Sequence, residues 1–272
     1  MIQLPNVDLP RHATRWLARW QSEIDQLGDY ALMVDSAKRT FKARNVKTNA
    51  TFAAVRRALS LQCSGRKRCG YCEDSMADEI EHLRPKDLYP EQTFVWSNYI
   101  YACGPCNAPK GNRYAVFTGK AAEFCEVARG ANDPVLPPPK GDPLLIDPRA
   151  EDPLTFMALD LKDTFLFLPL GAEASRQYRR ADYTIGVLHL NDRPDLVAAR
   201  IDAYAAYEDR LARYVAAKQT GEPRDGLRNT ADSIHNMSHP TVWREMKRQH
   251  DMAPHLKVLR GLFLAAPEAL NW

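Results

Sequence analysis

Four of the six cysteines fall into two C-x-x-C pairs, Cys69/Cys72 and Cys103/Cys106. Each pair places two thiolates across a tight turn, and a glycine inside each pair allows the turn geometry. Two such turns, with 30 residues between them, can close a tetrahedral zinc site that leaves no position for water. A redox motif is disfavoured, because a redox C-x-x-C usually stands alone beside a βαβ pattern. The spacing therefore predicts one structural zinc ion.

The segment between and after these turns contains the residue types needed to cut a phosphodiester. His82 is the side chain whose pKa suits deprotonating water near neutral pH. Glu81 and Asn107 offer the hard oxygen ligands that a divalent ion prefers. Flanking phosphates need cations, and the segment supplies four of them: Arg84, Lys86, Lys110 and Arg113. On a strand Glu81 and His82 point to opposite faces, so one shared site requires a bent strand or a strand lying between base and metal.

Each of these residues also has a structural interpretation. A histidine at the end of an apolar strand is often a satisfied buried residue. Asn98 is compatible with capping a turn, and Asn107 with capping the helix after the second zinc turn. Their joint order around two zinc turns favours the nuclease interpretation over these alternatives.

The order C-x-x-C, Glu-His-x-x-Pro, Asn, C-x-x-C-Asn-x-x-Lys resembles that of the HNH (ββα-metal) nucleases over about 45 residues. More narrowly, three stretches resemble PtuB, the HNH subunit of Septu anti-phage systems and of related retron defence systems. They are IEHLRPK (80–86), YPEQTFVWSNYIYACGPCNAPKGNR (89–113) and PLLIDPRAEDP (143–153).

This resemblance implies a role for each motif residue. His82 is expected to be the general base, and Glu81 a metal ligand where the family usually has Asp. Asn98 is expected to orient the histidine through the hairpin loop, and Asn107 to be the second metal ligand, where the superfamily often has His. The catalytic ion would be Mg²⁺ or Mn²⁺.

The resemblance also implies partners. Nucleic acid is the expected substrate, with DNA favoured over RNA, and a PtuA-like ATPase is the expected protein partner, joined in retron-type systems by a reverse transcriptase. A non-catalytic zinc module that binds nucleic acid or scaffolds a partner is the alternative from another class. A stand-alone HNH nuclease of repair or mobile elements is a third possibility. His82 and its oxygen ligands favour either kind of nuclease over the binding module, because a module that only binds nucleic acid or a partner does not need them.

The remaining cysteines and histidines lack a comparable pattern. Cys63 and Cys125 are predicted to be small apolar side chains or idle thiols, with Cys63 a minor alternative zinc ligand. The pair His235/His239 has i,i+4 spacing but only Asp232 close by, which predicts a surface position.

Apolar periodicity predicts a mostly α protein with a small β-hairpin core. Together with the resemblance, this implies a fold of the α+β class in which helices surround a small ββα-metal core with a four-cysteine zinc knuckle. The helices that position it are expected at 11–27, 49–62, 120–130, 195–219 and 241–265, the last with a break at Pro254. The basic stretch 37–49 is expected to be a loop or a frayed helix end, and the apolar parts of 143–170 to be extended. A Pro-rich connector at 132–143 suggests a domain seam, giving three regions: 1–62, 63–131 and 132–272.

Composition agrees with a globular protein: 45% of the 272 residues are hydrophobic and 26% are charged. No apolar run approaches the roughly 20 residues of a membrane span, and no signal peptide is recognised, so a cytoplasmic location without membrane contact is expected. Residues 1–120 contain 18 Lys/Arg and 12 Asp/Glu, whereas 121–272 contain 19 and 22. The region that carries the motifs is therefore the basic one, as phosphate binding requires.

Overall fold

The computed structural model describes residues 1–65, 67–119, 121–130, 132–252 and 254–272. None of the helices in these ranges is both long enough and apolar enough to cross a bilayer.

Three helices come first in the chain: α1 (Arg11–Asp25), α2 (Tyr30–Arg44) and α3 (Ala50–Gln62). They confirm the helices predicted at 11–27 and 49–62. The loop predicted at 37–49 is wrong, because α2 runs through most of it. Val34, Ala37 and Phe41 are buried at helical spacing along α2, and its basic residues occupy the remaining faces.

A β-hairpin and a helix form the ββα unit that the sequence predicts. Strands β1 (Glu79–His82) and β2 (Tyr99–Ala102) are antiparallel, with Glu79 opposite Ala102 and His82 opposite Tyr99. Helix α4 (Gly104–Lys110) begins two residues after β2 ends. The long loop between the strands contains short 3₁₀ turns at Pro90–Gln92 and Trp96–Asn98.

Two small antiparallel sheets follow. Strands β3 (Tyr114–Phe117), β4 (Phe124–Val127) and β5 (Asp142–Pro143) are ordered β4-β3-β5. The helix predicted at 120–130 is therefore wrong, since residues 124–127 pair with β3 and alternate between exposed and half-buried, the period of a strand. Strands β6 (Met157–Leu159) and β7 (Phe167–Pro169) form a hairpin, which confirms extended structure in 143–170.

Helices dominate the rest of the chain. They are α5 (Arg176–Val187), α6 (Pro194–Gln219), α7 (Arg224–His235), α8 (Pro240–Gln249) and α9 (Lys257–Ala265). Helix α6 confirms the prediction at 195–219, and α8 and α9 confirm the broken helix at 241–265. The protein is thus α+β and mostly helical.

The hairpin β1–β2 lies between two apolar clusters. Ile80, Tyr99 and Tyr101 pack with residues of α1–α3 in one cluster, whereas Ile100 and Ala102 belong to a larger cluster. That larger cluster includes the four paired cysteines, β3 and the C-terminal helices. Alternate residues of the hairpin therefore join the two parts of the core. The boundaries proposed at 62 and 131 remain predictions.

Candidate functional site

The two C-x-x-C turns bring four cysteines together beside the hairpin. The Sγ atoms of Cys69, Cys72, Cys103 and Cys106 all lie within 4.8 Å of one another, and all four residues are buried. The Cys69 sulfur accepts hydrogen bonds from the backbone N–H groups of Tyr71 at 3.4 Å and Cys103 at 3.3 Å. Four buried thiolates repel one another unless a cation compensates them, and soft sulfur ligands at this spacing suit zinc. The donor set therefore fits a structural zinc ion.

Neither remaining cysteine belongs to this group. Cys63 is half-buried, its thiol donates to the carbonyl of Leu59 at 3.4 Å, and burial raises its pKa to about 11. Cys125 lies on β4. Among the described residues the cysteine quartet is the single group of three or more His, Cys, Asp or Glu side chains placed to hold a metal ion.

Arg193, just before α6, contacts the cysteine cluster from the C-terminal half of the chain. Its Nη2 lies 3.4 Å from the Cys106 sulfur, and its Nε donates to the carbonyl of His189 at 2.9 Å. A guanidinium donating to a metal-bound thiolate is a charge-assisted bond. Arg193 belongs to no recognisable motif, and 87 positions separate it from Cys106, so its contact with the cluster could not be predicted from the sequence.

His82 is the last residue of β1 and faces the N-terminal helices. Its exposure is 5%, and its ring centroid lies 4.5 Å from that of Phe41 and 5.2 Å from that of Tyr99. His82 Nε2 donates to the carbonyl oxygen of Thr93 at 3.0 Å, which leaves Nδ1 as the acceptor nitrogen. Burial, helped by the nearby Lys86 charge, lowers the pKa of His82 to about 3. The imidazole is therefore neutral, as a general base must be.

Asn98 fastens the loop that holds His82. Its Nδ2 donates to the carbonyls of Gln92 at 2.9 Å and Arg84 at 3.0 Å, and its Oδ1 accepts from the Arg84 N–H at 2.8 Å. Gln92 directly precedes Thr93, whose carbonyl also accepts from the Tyr99 hydroxyl at 2.7 Å. Asn98 thus binds the residue that precedes Thr93, whose carbonyl accepts from His82.

Glu81 faces away from His82 and is already paired. Its Oε1 lies 2.5 Å from Lys110 Nζ, and its Oε2 accepts from the Tyr71 hydroxyl at 2.6 Å. Lys110 also donates to the His82 carbonyl at 2.9 Å. Asn107 bonds Glu79 at 2.6 Å through its Nδ2 instead of facing Glu81. In this arrangement Glu81 and Asn107 do not fit a shared divalent ion, because the lysine ammonium already neutralises the carboxylate.

The four cations predicted to bind phosphate differ in exposure and in the groups that they contact. Lys110 is 0% exposed, so the structure does not place it where phosphate can reach it. Arg113 is paired with Glu126 at 2.7 Å. Arg84 and Lys86, the two nearest to His82 in the chain, instead lie over the rings of Tyr89 and Phe41 at 5.5 and 5.6 Å. Fewer than four of these cations are therefore free to bind phosphate in this structure.

The surface position predicted for His239 is wrong, whereas His235 is exposed. His239 is 2% exposed and its Nε2 lies 3.4 Å from Asp74 Oδ1. It precedes α8 in a left-handed conformation with φ of 56°, and its backbone N–H donates to the carbonyl of Glu73 at 3.3 Å. The tertiary contact with the first zinc turn, not the i,i+4 spacing, determines its burial.

A stretch of 58 residues is 38% identical to Septu protein PtuB of Bacillus thuringiensis, covering 20% of this chain and 23% of that protein. The match spans less than a quarter of the relative's length. No family model matches the chain, and no solved structure matches it. The likeness supports a relationship to PtuB over this stretch and does not extend to the remaining residues.

Proposed function

We propose that this protein is an HNH-type endonuclease that hydrolyses phosphodiester bonds in nucleic acid, with DNA preferred over RNA, and that it acts in an anti-phage defence complex. One observation carries the proposal. His82 ends the first strand of a ββα unit, and its Nε2 donates to the carbonyl of Thr93 in a loop that Asn98 binds at Gln92. The 58-residue likeness to PtuB supports the defence context.

In the proposed reaction His82 Nδ1 accepts a proton from the water that attacks phosphorus. The bond from Nε2 to Thr93 holds the tautomer that leaves Nδ1 free to accept. Arg84 and Lys86 are the cations proposed to bind the flanking phosphates. A dependence on Mg²⁺ or Mn²⁺ remains a prediction, because an ion bound by Glu81 would have to displace Lys110.

The burial of His82 supports control by a partner. Phe41 of α2 packs against the imidazole, so substrate reaches Nδ1 only after this part of α2 has moved. We propose that the isolated chain is a weak nuclease and that a PtuA-like ATPase, with a reverse transcriptase in a retron-type system, promotes the open state. Such a requirement would protect the host's own nucleic acid.

Helix α9 is the proposed docking surface for that partner. Leu259 and Phe263 of α9 are buried in the protein's own core, whereas Val258 and Leu264 are 67% and 73% exposed. A contiguous exposed apolar patch marks an interaction site, whereas single exposed apolar side chains are ordinary, so the proposal requires both side chains to contact the partner.

A non-catalytic zinc module is the second candidate, and the same burial of His82 favours it. The two functions differ in what His82→Ala does. The experiment compares wild type with His82→Ala and with the control His189→Ala; the His189 side chain is 42% exposed. Each protein is incubated with single-stranded DNA, duplex DNA or RNA, in the presence of Mg²⁺, Mn²⁺ or EDTA. The partner ATPase is added in parallel.

The nuclease proposal expects His82→Ala to lose on the order of 10²–10⁴ in cleavage rate, while substrate binding and the His189→Ala control keep wild-type values. Undiminished cleavage by His82→Ala excludes His82 as the base. Binding without cleavage by wild type, with the partner present, supports the zinc module instead.

A further inference from the structure

A half-open cavity of about 330 Å³ borders the loop that Asn98 fastens. Its volume is at the lower end of the range of about 300–1,000 Å³ found for small-molecule sites. Its walls come from three separated segments and include Arg84, Gln92, Ser97, Tyr114, Leu145 and Asp147. Asp147 and Leu145 belong to the stretch 143–153, to which the proposed hydrolysis assigns no task.

The Tyr114 hydroxyl has no hydrogen-bond partner among the described residues, although the side chain is only 3% exposed. Its ring packs edge-on against Tyr89, with centroids 5.1 Å apart. The hydroxyl is not one of the fully buried polar atoms without a partner, so it is open to the cavity that Tyr114 lines. A ligand that accepts its hydrogen bond would replace water there, with a modest net gain in free energy.

Two opposite charges face the cavity without pairing with each other. Asp147 is half-buried, and its Oδ1 accepts the Arg149 N–H at 2.8 Å. Arg84 lies over the Tyr89 ring and forms no ion pair in the part of the chain that the structure describes. The cavity therefore presents a carboxylate acceptor together with guanidinium and phenol donors, and Leu145 adds an apolar wall.

We propose that this cavity binds a single unpaired nucleobase of the substrate, with guanine preferred. The proposal rests on the nuclease function. Guanine carries two adjacent donors, N1–H and N2–H₂, that suit a carboxylate, and its O6 acceptor suits the donors of Arg84 and Tyr114. The Arg84 guanidinium has five N–H donors, so it can donate to O6 and to a flanking phosphate together. A base paired within a duplex cannot offer this edge, so the substrate class is a single-stranded region or a base turned out of its stack.

The chain places this cavity next to the candidate base. Arg84 follows His82 by two residues, which separates their Cα atoms by at most about 7 Å. The His82 side chain does not line the cavity and packs against Phe41, so an adjoining phosphate of the same strand would reach Nδ1 only in the open state proposed above. Base recognition and hydrolysis would then involve neighbouring nucleotides of one substrate strand.

The test is calorimetric binding of guanosine, adenosine, cytidine and uridine 5′-monophosphates, and of ribose 5-phosphate, to the full-length chain. We expect guanosine monophosphate to bind most tightly and ribose 5-phosphate at least about tenfold more weakly. Tyr114→Phe and Asp147→Asn should each weaken guanosine monophosphate about tenfold, the effect of one lost polar contact. The Asp147→Asn change keeps an Oδ1 that can accept the Arg149 N–H, so the local turn should be preserved.

Tyr183→Phe is the control, since the Tyr183 hydroxyl likewise forms no hydrogen bond among the described residues but does not line the cavity. It should leave binding unchanged, and all three variants should keep the wild-type unfolding temperature. Equal affinity for ribose 5-phosphate and the nucleotides would overturn the proposal, since Arg84 would then bind phosphate alone. Absence of nucleotide binding, or tighter binding of another base, would also overturn it.

Cleavage is measured separately on the same preparations. A wild-type protein that cuts nucleic acid but binds no mononucleotide would refute the base pocket and leave the nuclease function standing. Base-selective binding that needs Tyr114, without cleavage in the presence of the partner, would support the pocket and refute the nuclease function.

Discussion

Replacing Lys110 by methionine tests the buried ion pair that occupies the place predicted for a metal ligand. The side chains of Lys110 and Glu81 are 0% and 2% exposed. Lys110→Met keeps most of the apolar volume but leaves Glu81 as a buried charge, and removing one partner of a buried pair costs about 3–5 kcal/mol. The surviving bond from the Tyr71 hydroxyl to Glu81 places the expected loss near the lower limit, about 3 kcal/mol.

The free energy of unfolding is measured by urea titration with zinc at saturation. The double variant Lys110→Met/Glu81→Gln removes the stranded charge, so it should be at least about 1 kcal/mol more stable than Lys110→Met alone. Lys218→Met is the control, because the Lys218–Glu268 pair is partly exposed and worth about 0–1 kcal/mol. If Lys110→Met loses no more stability than the control, or if the two changes are additive, the buried pair does not stabilise the fold.

Three further predictions concern zinc, pH and docking. Purified protein should contain one zinc ion per chain. Cys103→Ser should lose both zinc and folding. Arg193→Ala should weaken zinc binding about 10–100-fold, as measured by chelator competition. Because the pKa of His82 is lowered to about 3 from 6.5 in the unfolded chain, only the unfolded state binds this proton between those values. Stability should therefore fall as pH drops from 6.5 toward 3, by up to about 1.4 kcal/mol per pH unit, and His82→Asn, but not His189→Asn, should reduce that slope in denaturation measured at several pH values. The double variant Val258→Ser/Leu264→Ser should keep the unfolding temperature of the wild type and lose co-elution with the proposed ATPase partner. Retained co-elution would exclude α9 as the docking surface.

Local patterns in the sequence were sufficient to predict the cysteine quartet and most of the helices that the structure describes. A C-x-x-C turn is defined by four consecutive residues, and two such turns bind one ion wherever the chain between them permits. The helix over 195–219 follows from its own apolar periodicity. The order strand, strand, helix between Glu79 and Lys110 was expected from the resemblance of the motif to HNH nucleases, and not from local periodicity.

The same local patterns were misleading where packing competes with composition. The basic residues of 37–49 suggested a loop, but Phe41 is buried on one face of α2 together with Val34 and Ala37. This burial stabilises the helix. Residues 124–127 suggested a helix, but their backbone groups are bonded to β3. Burial against other elements in the first segment, and hairpin pairing with the preceding strand in the second, outweigh the intrinsic preference of the residues.

The tertiary structure alone decided which of the candidate residues meet. His82 and Glu81 are neighbours in the chain, yet β1 turns them to opposite faces, so His82 packs against Phe41 and Glu81 against Lys110. Arg193 reaches Cys106 across 87 positions. Such contacts depend on how separate elements pack, and packing leaves no periodic trace in the local sequence. The residue types needed for hydrolysis could therefore be identified from the sequence, whereas their burial, pairing and access depend on side chains contributed by distant segments.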